Sequence, residues 1–290
     1  MKRADVAELA GSCGLGAWTA FGVLTMVVVG RDGIPLFADA DLLSWSVGHR
    51  PDVAVAFARG LTATGTGVVP FALAALAGII AGRTLRRRAL AAALCLACLG
   101  AGQALRYAVM TLVARPRPPL SDWATHASGS AFPSGHTTTA ALTAGLLIIA
   151  VHIRGSRGRT VLALVIGGWG ALVGLTRVYL GVHWFTDVVG GWLFALGWLG
   201  VCLCAAAWWL PERLTLGMTD TDTARGTTEP MGAAGGRTGP AREQTDVARE
   251  QTDVAREQTD VAREQTDVAR EQTEDHAPDD PGRRGRSRPA

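Results

Sequence analysis

Six apolar stretches joined by polar connections leave this chain few ways to fold. They run at about 14 to 30, 66 to 82, 89 to 113, 137 to 153, 160 to 178 and 186 to 210. A helix needs roughly 17 to 25 apolar residues to cross the ~30 Å hydrocarbon layer, where lipid offers the backbone no hydrogen-bond partner. Each stretch meets or approaches that length. The first could be a signal-like segment, but five more of the same kind favour a first transmembrane helix. The pattern predicts an all-α, polytopic membrane helix bundle: a cytoplasmic N-terminus over residues 1–13, a domain of six transmembrane helices over 14–210, and a polar tail over 211–290. Gly and Ala recur in the stretches, which suits close helix packing in lipid.

Charge supports that division. Residues 1–210 carry 16 Lys and Arg against 8 Asp and Glu, while residues 211–290 carry 12 against 17. The cations of the first part lie between apolar runs rather than along a polar face, an orientation signal of membrane proteins and not a nucleic-acid footprint. Arg83, Arg86, Arg87 and Arg88 follow the second run, Arg154, Arg157 and Arg159 the fourth, and Lys2 and Arg3 open the chain. Cytoplasmic connections retain positive charge, so both termini are expected inside and the connections after the first, third and fifth runs outside. Residues 31 to 65, the first outer connection, mix Leu42, Trp45, Val47 and Phe57 with polar residues and suit an interfacial helix or a cap. Trp184, Trp192, Trp208 and Trp209 bracket the sixth run as expected interfacial anchors; Trp123 lies in the loop before Pro133. The five cysteines sit within apolar segments and are read as packing thiols.

The tail repeats Ala-Arg-Glu-Gln-Thr-Asp-Val from Ala241, Ala248, Ala255 and Ala262, with a degenerate copy from Ala269. The period of seven invites a coiled coil. Its apolar residues are adjacent, as in Val247-Ala248, whereas a seam needs two apolar positions three or four apart. Disorder over 211–290, with the repeats at 241–275, is therefore expected.

Three polar islands interrupt the apolar pattern: Arg115-Pro116-Arg117-Pro118, Pro133-Ser134-Gly135-His136, and Thr176-Arg177 with His183 and Asp187. All fall on the outer side. His183 and Asp187 are four residues apart, one helical turn, so the carboxylate can fix one imidazole nitrogen and leave the other free as nucleophile or base. Gly181 permits a tight turn between Arg177 and His183. Guanidinium groups at membrane depth are costly unless paired or used, and several converging on histidines describe an oxyanion pocket. Those same cations oppose a divalent metal on His136, His183 and Asp187, so neither a metal nor another cofactor is expected. Ser134 can cap a helix or bind an anion, and Gly135 lets the backbone approach an oxygen. His136 then stands where a general acid would protonate a leaving alkoxide.

The arrangement resembles the type 2 phosphatidic acid phosphatase family, the PAP2 or lipid phosphate phosphatases, whose motifs read K-x6-R-P, P-S-G-H and S-R-x5-H-x3-D. The second is matched at Pro133, Ser134, Gly135 and His136. The third is matched at Arg177, His183 and Asp187, with Thr176 in place of serine. The resemblance covers about residues 10 to 210 and implies metal-independent hydrolysis of a lipid phosphomonoester or pyrophosphate. It assigns the attack to His183, its orientation to Asp187 and leaving-group protonation to His136, with Arg117, Ser134, Gly135 and Arg177 holding the phosphoryl oxygens.

The first motif departs from the pattern. Arg117-Pro118 matches, but the lysine expected seven residues earlier is Met110. Arg106, one turn before Met110 on the same face, and Arg115 are the candidates to replace that cation. A vanadate-dependent haloperoxidase shares the anion pocket but not six apolar runs, and a non-catalytic lipid-phosphate binding or transport protein would need no intact His136, His183 and Asp187. The implied partners are a lipid phosphate substrate and the bilayer; undecaprenyl pyrophosphate and phosphatidic acid offer the same headgroup chemistry.

Overall fold

A computed structural model describes residues 3–36, 38–155 and 158–209, and within them every regular element is helical. Eight α-helices follow in order: α1 (Arg3–Gly30), α2 (Asp39–Gly48), α3 (Asp52–Ala63), α4 (Val68–Ala81), α5 (Leu85–Val113), α6 (Gly135–Arg154), α7 (Arg159–Tyr179) and α8 (Phe185–Trp209). The tail and its repeats lie outside the described residues.

Five helices, α1, α5, α6, α7 and α8, are long and apolar enough to cross a membrane. The expected span at 66 to 82 differs. As α4 it has 14 residues, or ~21 Å at the α-helical rise, short of a ~30 Å layer. It passes as a span only together with α3, from which it is bent by 51°. The break falls at Gly65-Thr66-Gly67, where Gly67 has a positive φ of 67° that most side chains would resist. The connection before it, residues 31 to 65, is largely helical, forming α2 and α3.

Small residues set the helix contacts. A Cβ on Gly78 would fall 2.2 Å from the Ala92 backbone nitrogen, so α4 and α5 touch backbone to backbone. On Gly200 it would fall 2.7 Å from the Gly14 Cα, the same device between α8 and α1. Neighbouring helices in lipid gain little from apolar burial and associate through such close packing. Near one end of the bundle Phe21, Val28, Leu36, Phe132 and Phe194 form an apolar cluster, with the rings of Phe21 and Phe132 stacked at 5.7 Å. That cluster anchors the Phe132-Pro133-Ser134 turn, whose Phe132–Pro133 peptide is cis, in front of α6.

The chain order puts the chemistry at one end. The C-termini of α5 and α7 and the N-termini of α6 and α8 meet there, while the arginine-rich connection 82–88 and the helix ends carrying Arg154 and Arg159 lie at the opposite end.

Candidate active site

Each polar island is delivered by a helix terminus. After α5, Ala114 adopts a left-handed conformation (φ 48°) that turns the chain out of the helix. Arg115 and Arg117 follow, each before a proline, which disfavours further helix. Ser134 is the N-cap residue of α6, but its hydroxyl makes no cap bond. It accepts a hydrogen bond from the Thr137 hydroxyl at 2.9 Å instead, leaving its own proton free for an acceptor. Arg177 lies in the last turn of α7, and the chain then reverses through Gly181 (φ 72°), where a Cβ would strike the Asp122 carbonyl oxygen at 2.2 Å. His183 ends that turn and Asp187 sits in the first turn of α8.

His183 is 2% exposed. Its Nδ1 lies 3.4 Å from Asp187 Oδ2, and its Nε2 is 2.9 Å from Arg117 Nη1. A guanidinium only donates, so Nε2 is the unprotonated nitrogen and the ring proton sits on Nδ1, towards the carboxylate. Burial, reinforced by the charges of Arg117 and Arg177, holds the imidazole well below its ordinary value, so it is neutral near pH 7. Asp187 is wholly buried, and its Oδ2 also accepts from the Trp184 backbone N–H at 2.9 Å. His136 is only half-buried and lies within electrostatic range of Arg177, His183, Arg117 and Arg106.

The arginines divide into two kinds. Arg117 donates to the carbonyls of Gly129, Val182, Ser128 and Ser130 and lies over the Trp123 ring. Arg177 is 2% exposed, donates to Thr62 Oγ1 at 3.2 Å from α3, and leaves its Nε without a hydrogen-bond partner. Arg106 donates to Gln103 Oε1 at 3.2 Å, and its Nη1 lies 3.3 Å from Met110 Sδ. Its guanidinium also lies against Gly135, where a Cβ would be 3.3 Å from Nη1. Among the described residues none of these three is ion-paired with a carboxylate. Arg115 is the contrast: fully buried, it bonds Asp39 Oδ2 at 2.9 Å and Asp187 Oδ1 at 2.6 Å. As a candidate phosphate ligand it is therefore corrected, because two carboxylates already hold its guanidinium behind Asp187.

One further expectation changes. Trp184 is not an interfacial anchor: it is buried, donates through Nε1 to the Pro116 carbonyl at 3.0 Å and lies under Arg115. The Thr176 hydroxyl turns back to the Val173 carbonyl at 2.6 Å. Asp39, Thr62 and Thr186 were not singled out from the sequence, since a lone aspartate or threonine in a connection carries no periodic or motif signal. Among the described residues no three His, Cys, Asp or Glu side chains form a group that could hold a metal ion.

A membrane bundle whose helix ends converge on a neutral, carboxylate-oriented histidine and on guanidiniums without counter-ions defines a class: multi-pass proteins with a buried, histidine-based site for an oxyanion. Comparison narrows it. The model of the PAP2 superfamily matches residues 90–211. A phosphatidylglycerophosphatase B of Bacillus subtilis (strain 168) is 33% identical over 139 residues, covering 47% of this chain and 67% of that protein. A phosphatidylglycerophosphatase B of Escherichia coli (strain K12) is 38% identical over 87 residues, 30% of this chain and 31% of that one. The fold matches the crystal structure described as the first transmembrane PAP2 type phosphatidylglycerolphosphate phosphatase from Bacillus subtilis, with a TM-score of 0.55 at 24% identity, over 66% of this chain and 94% of that one. The chain belongs to the PAP2 superfamily. It is a PAP2-type membrane phosphatase.

Proposed function

We propose that the protein hydrolyses a lipid phosphomonoester or pyrophosphate at an extracytoplasmic site, through a phosphohistidine on His183. The observation that carries this is the set Arg106, Arg117 and Arg177, three cations without carboxylate partners around His136 and His183. Desolvated guanidiniums without counter-ions are costly, and a phosphate dianion would supply the missing charge.

In the first step Nε2 of His183 forms a bond to phosphorus as the phosphorus–oxygen bond to the lipid breaks, and His136 gives its proton to the departing alkoxide. Asp187 stabilises the positive charge that develops on the His183 ring. Arg117 contacts Nε2, so a bound phosphoryl oxygen would draw its Nη1 away and expose the nucleophile. In the second step His136, now neutral, takes a proton from water; the hydroxide attacks phosphorus, the phosphorus–nitrogen bond breaks, and phosphate and free His183 result. Arg177, Arg117, Arg106, the Ser134 hydroxyl and the Gly135 backbone stabilise the phosphoryl charge. Preorganised donors of this kind are the main catalytic resource in phosphoryl transfer.

The names of the two relatives make phosphatidylglycerol phosphate the first substrate to try, with phosphatidic acid and undecaprenyl pyrophosphate beside it. Purified protein in detergent with EDTA should release phosphate from at least one of the three, and His183→Ala should abolish release. Turnover that survives His183→Ala would sink the phosphohistidine mechanism. No release from any substrate by the unmodified protein would favour a binding role.

A further inference from the structure

Behind the catalytic pair lies a second carboxylate that the mechanism above does not use. Asp39 opens α2, in the first outer connection, and is fully buried. Its Oδ2 accepts from the Leu36 backbone N–H at 2.9 Å, from Arg115 Nη2 at 2.9 Å and from Thr186 Oγ1 at 2.7 Å. Its Oδ1 accepts from the Thr186 backbone N–H at 2.8 Å. Thr186 Oγ1 in turn accepts from Arg115 Nη1 at 2.7 Å, and the same Nη1 donates to Asp187 Oδ1 at 2.6 Å. Hydrogen bonds thus run from Asp39 through Arg115 and Thr186 to Asp187, whose Oδ2 lies 3.4 Å from His183 Nδ1, a close charge contact without a hydrogen bond.

We propose that Asp39 is a positioning residue of the phosphatase reaction, a remote carboxylate that fixes Arg115 and keeps the charge behind His183 negative. This rests on His183 being the nucleophile. The charge argument is simple. Asp39, Arg115 and Asp187 together carry one net negative charge; without Asp39 the Arg115–Asp187 pair is neutral. On its open side His183 faces Arg117 from the 114–119 segment, Arg106 from α5 and Arg177 from α7, with the imidazole of His136 from α6, so among the protein's own charges a neutral backing would leave its protonated form opposed only by cations. Geometry adds to this. Arg115 occupies Oδ1 of Asp187 and leaves Oδ2 for the Trp184 N–H and the imidazole, and Asp39 determines where that guanidinium sits. Outer partners of metal-bound histidines change activity by about 10- to 100-fold, and the same scale is expected for a reactive histidine backed in the same way.

The test compares Asp39→Asn and Asp39→Glu with the unmodified protein, as full-length chains in detergent, following phosphate release from short-chain phosphatidic acid. Asp39→Asn keeps the size of the side chain and removes the charge. It is expected to lower kcat about 10- to 100-fold with KM changed less than about threefold. The acid limb of the kcat–pH profile should move to lower pH, because losing a negative charge near His183 disfavours its protonated form. Asp39→Glu should recover part of kcat and return the limb. A kcat equal to the unmodified protein, or a fall matched by the folded fraction with the limb unmoved, overturns the proposal. If Asp39→Asn does not fold, Asp39→Ser is read instead: it likewise removes the charge, and a kcat drop of about tenfold with KM unchanged and the acid limb at lower pH supports the proposal, whereas an unmodified kcat or an unmoved limb overturns it. His183→Ala separates the two levels. Release that persists without His183 rejects the nucleophile assignment, while a dead His183→Ala beside a fully active Asp39→Asn rejects the positioning role alone.

Discussion

At Met110 the first phosphatase motif lacks its lysine, and Arg106 lies beside that position. Met110 is buried, with its Sδ 3.3 Å from Arg106 Nη1, and its Cε methyl group reaches towards Gly129. Arg106 starts one turn earlier, and its longer side chain brings a guanidinium to Gly135, at the start of the Ser-Gly-His segment. Arg106→Ala should therefore reduce kcat/KM for phosphate release by about 100- to 1000-fold, the scale on which a preorganised donor acts in the transition state. Met110→Lys alone should gain nothing, because it sets a second cation beside Arg106 in a desolvated space. In the Arg106→Ala background the same change should restore most of the activity. Kinetics of the four proteins of that cycle check the idea, and additive losses would refute the exchange of cations.

At the level of elements, the site depends on helix ends that meet because glycine faces let the helices close up. The α1–α8 pair is the clearest case, since Gly14 and Gly200 bring backbone against backbone and Trp18 from α1 lies over Gly197 of α8. A branched side chain on Gly200 has no room: its Cβ alone would stand 2.7 Å from Gly14 Cα and 2.9 Å from the Ala10 carbonyl oxygen. Overpacking of this kind costs about 1–3 kcal/mol. Gly200→Val should lower the unfolding temperature in detergent by several degrees, while activity per folded molecule at low temperature falls little because Gly200 lies far along α8 from Asp187. An unchanged unfolding temperature would show that the α1–α8 contact contributes little to stability. The cysteines belong to this scale as well: Cys98 of α5 and Cys202 of α8 meet as free thiols at 3.3 Å, as packing side chains.

For the whole molecule the segregation of charge gives a direction. The arginine-rich connections gather at the end opposite His183, so retention of positive charge in the cytoplasm would put the site outside. In intact cells, with the native cysteines replaced, Ser121→Cys beside the site should react with a membrane-impermeant thiol reagent, and Arg83→Cys should react only after permeabilisation. The reverse pattern would invert the orientation. The bent pair of α3 and α4 matters here, since it counts as a sixth crossing only if its two halves form one span, and it carries Thr62 to Arg177.

The apolar runs, the charge between them and the motifs around His136, His183 and Asp187 were legible in the sequence because each is a local pattern: length against a bilayer, an i,i+4 pair, a proline and glycine before a helix. Those patterns determined the helical membrane class and the family resemblance. Only the tertiary structure separated Arg115 from Arg117. The two stand two residues apart in the Arg-Pro-Arg-Pro segment, yet one guanidinium meets buried carboxylates and the other meets His183 Nε2. Asp39 was likewise invisible, since its contacts with Arg115 and Thr186 join positions 76 and 147 residues away. A charge reveals its role through what faces it, and what faces it across such distances is decided by how the helices pack.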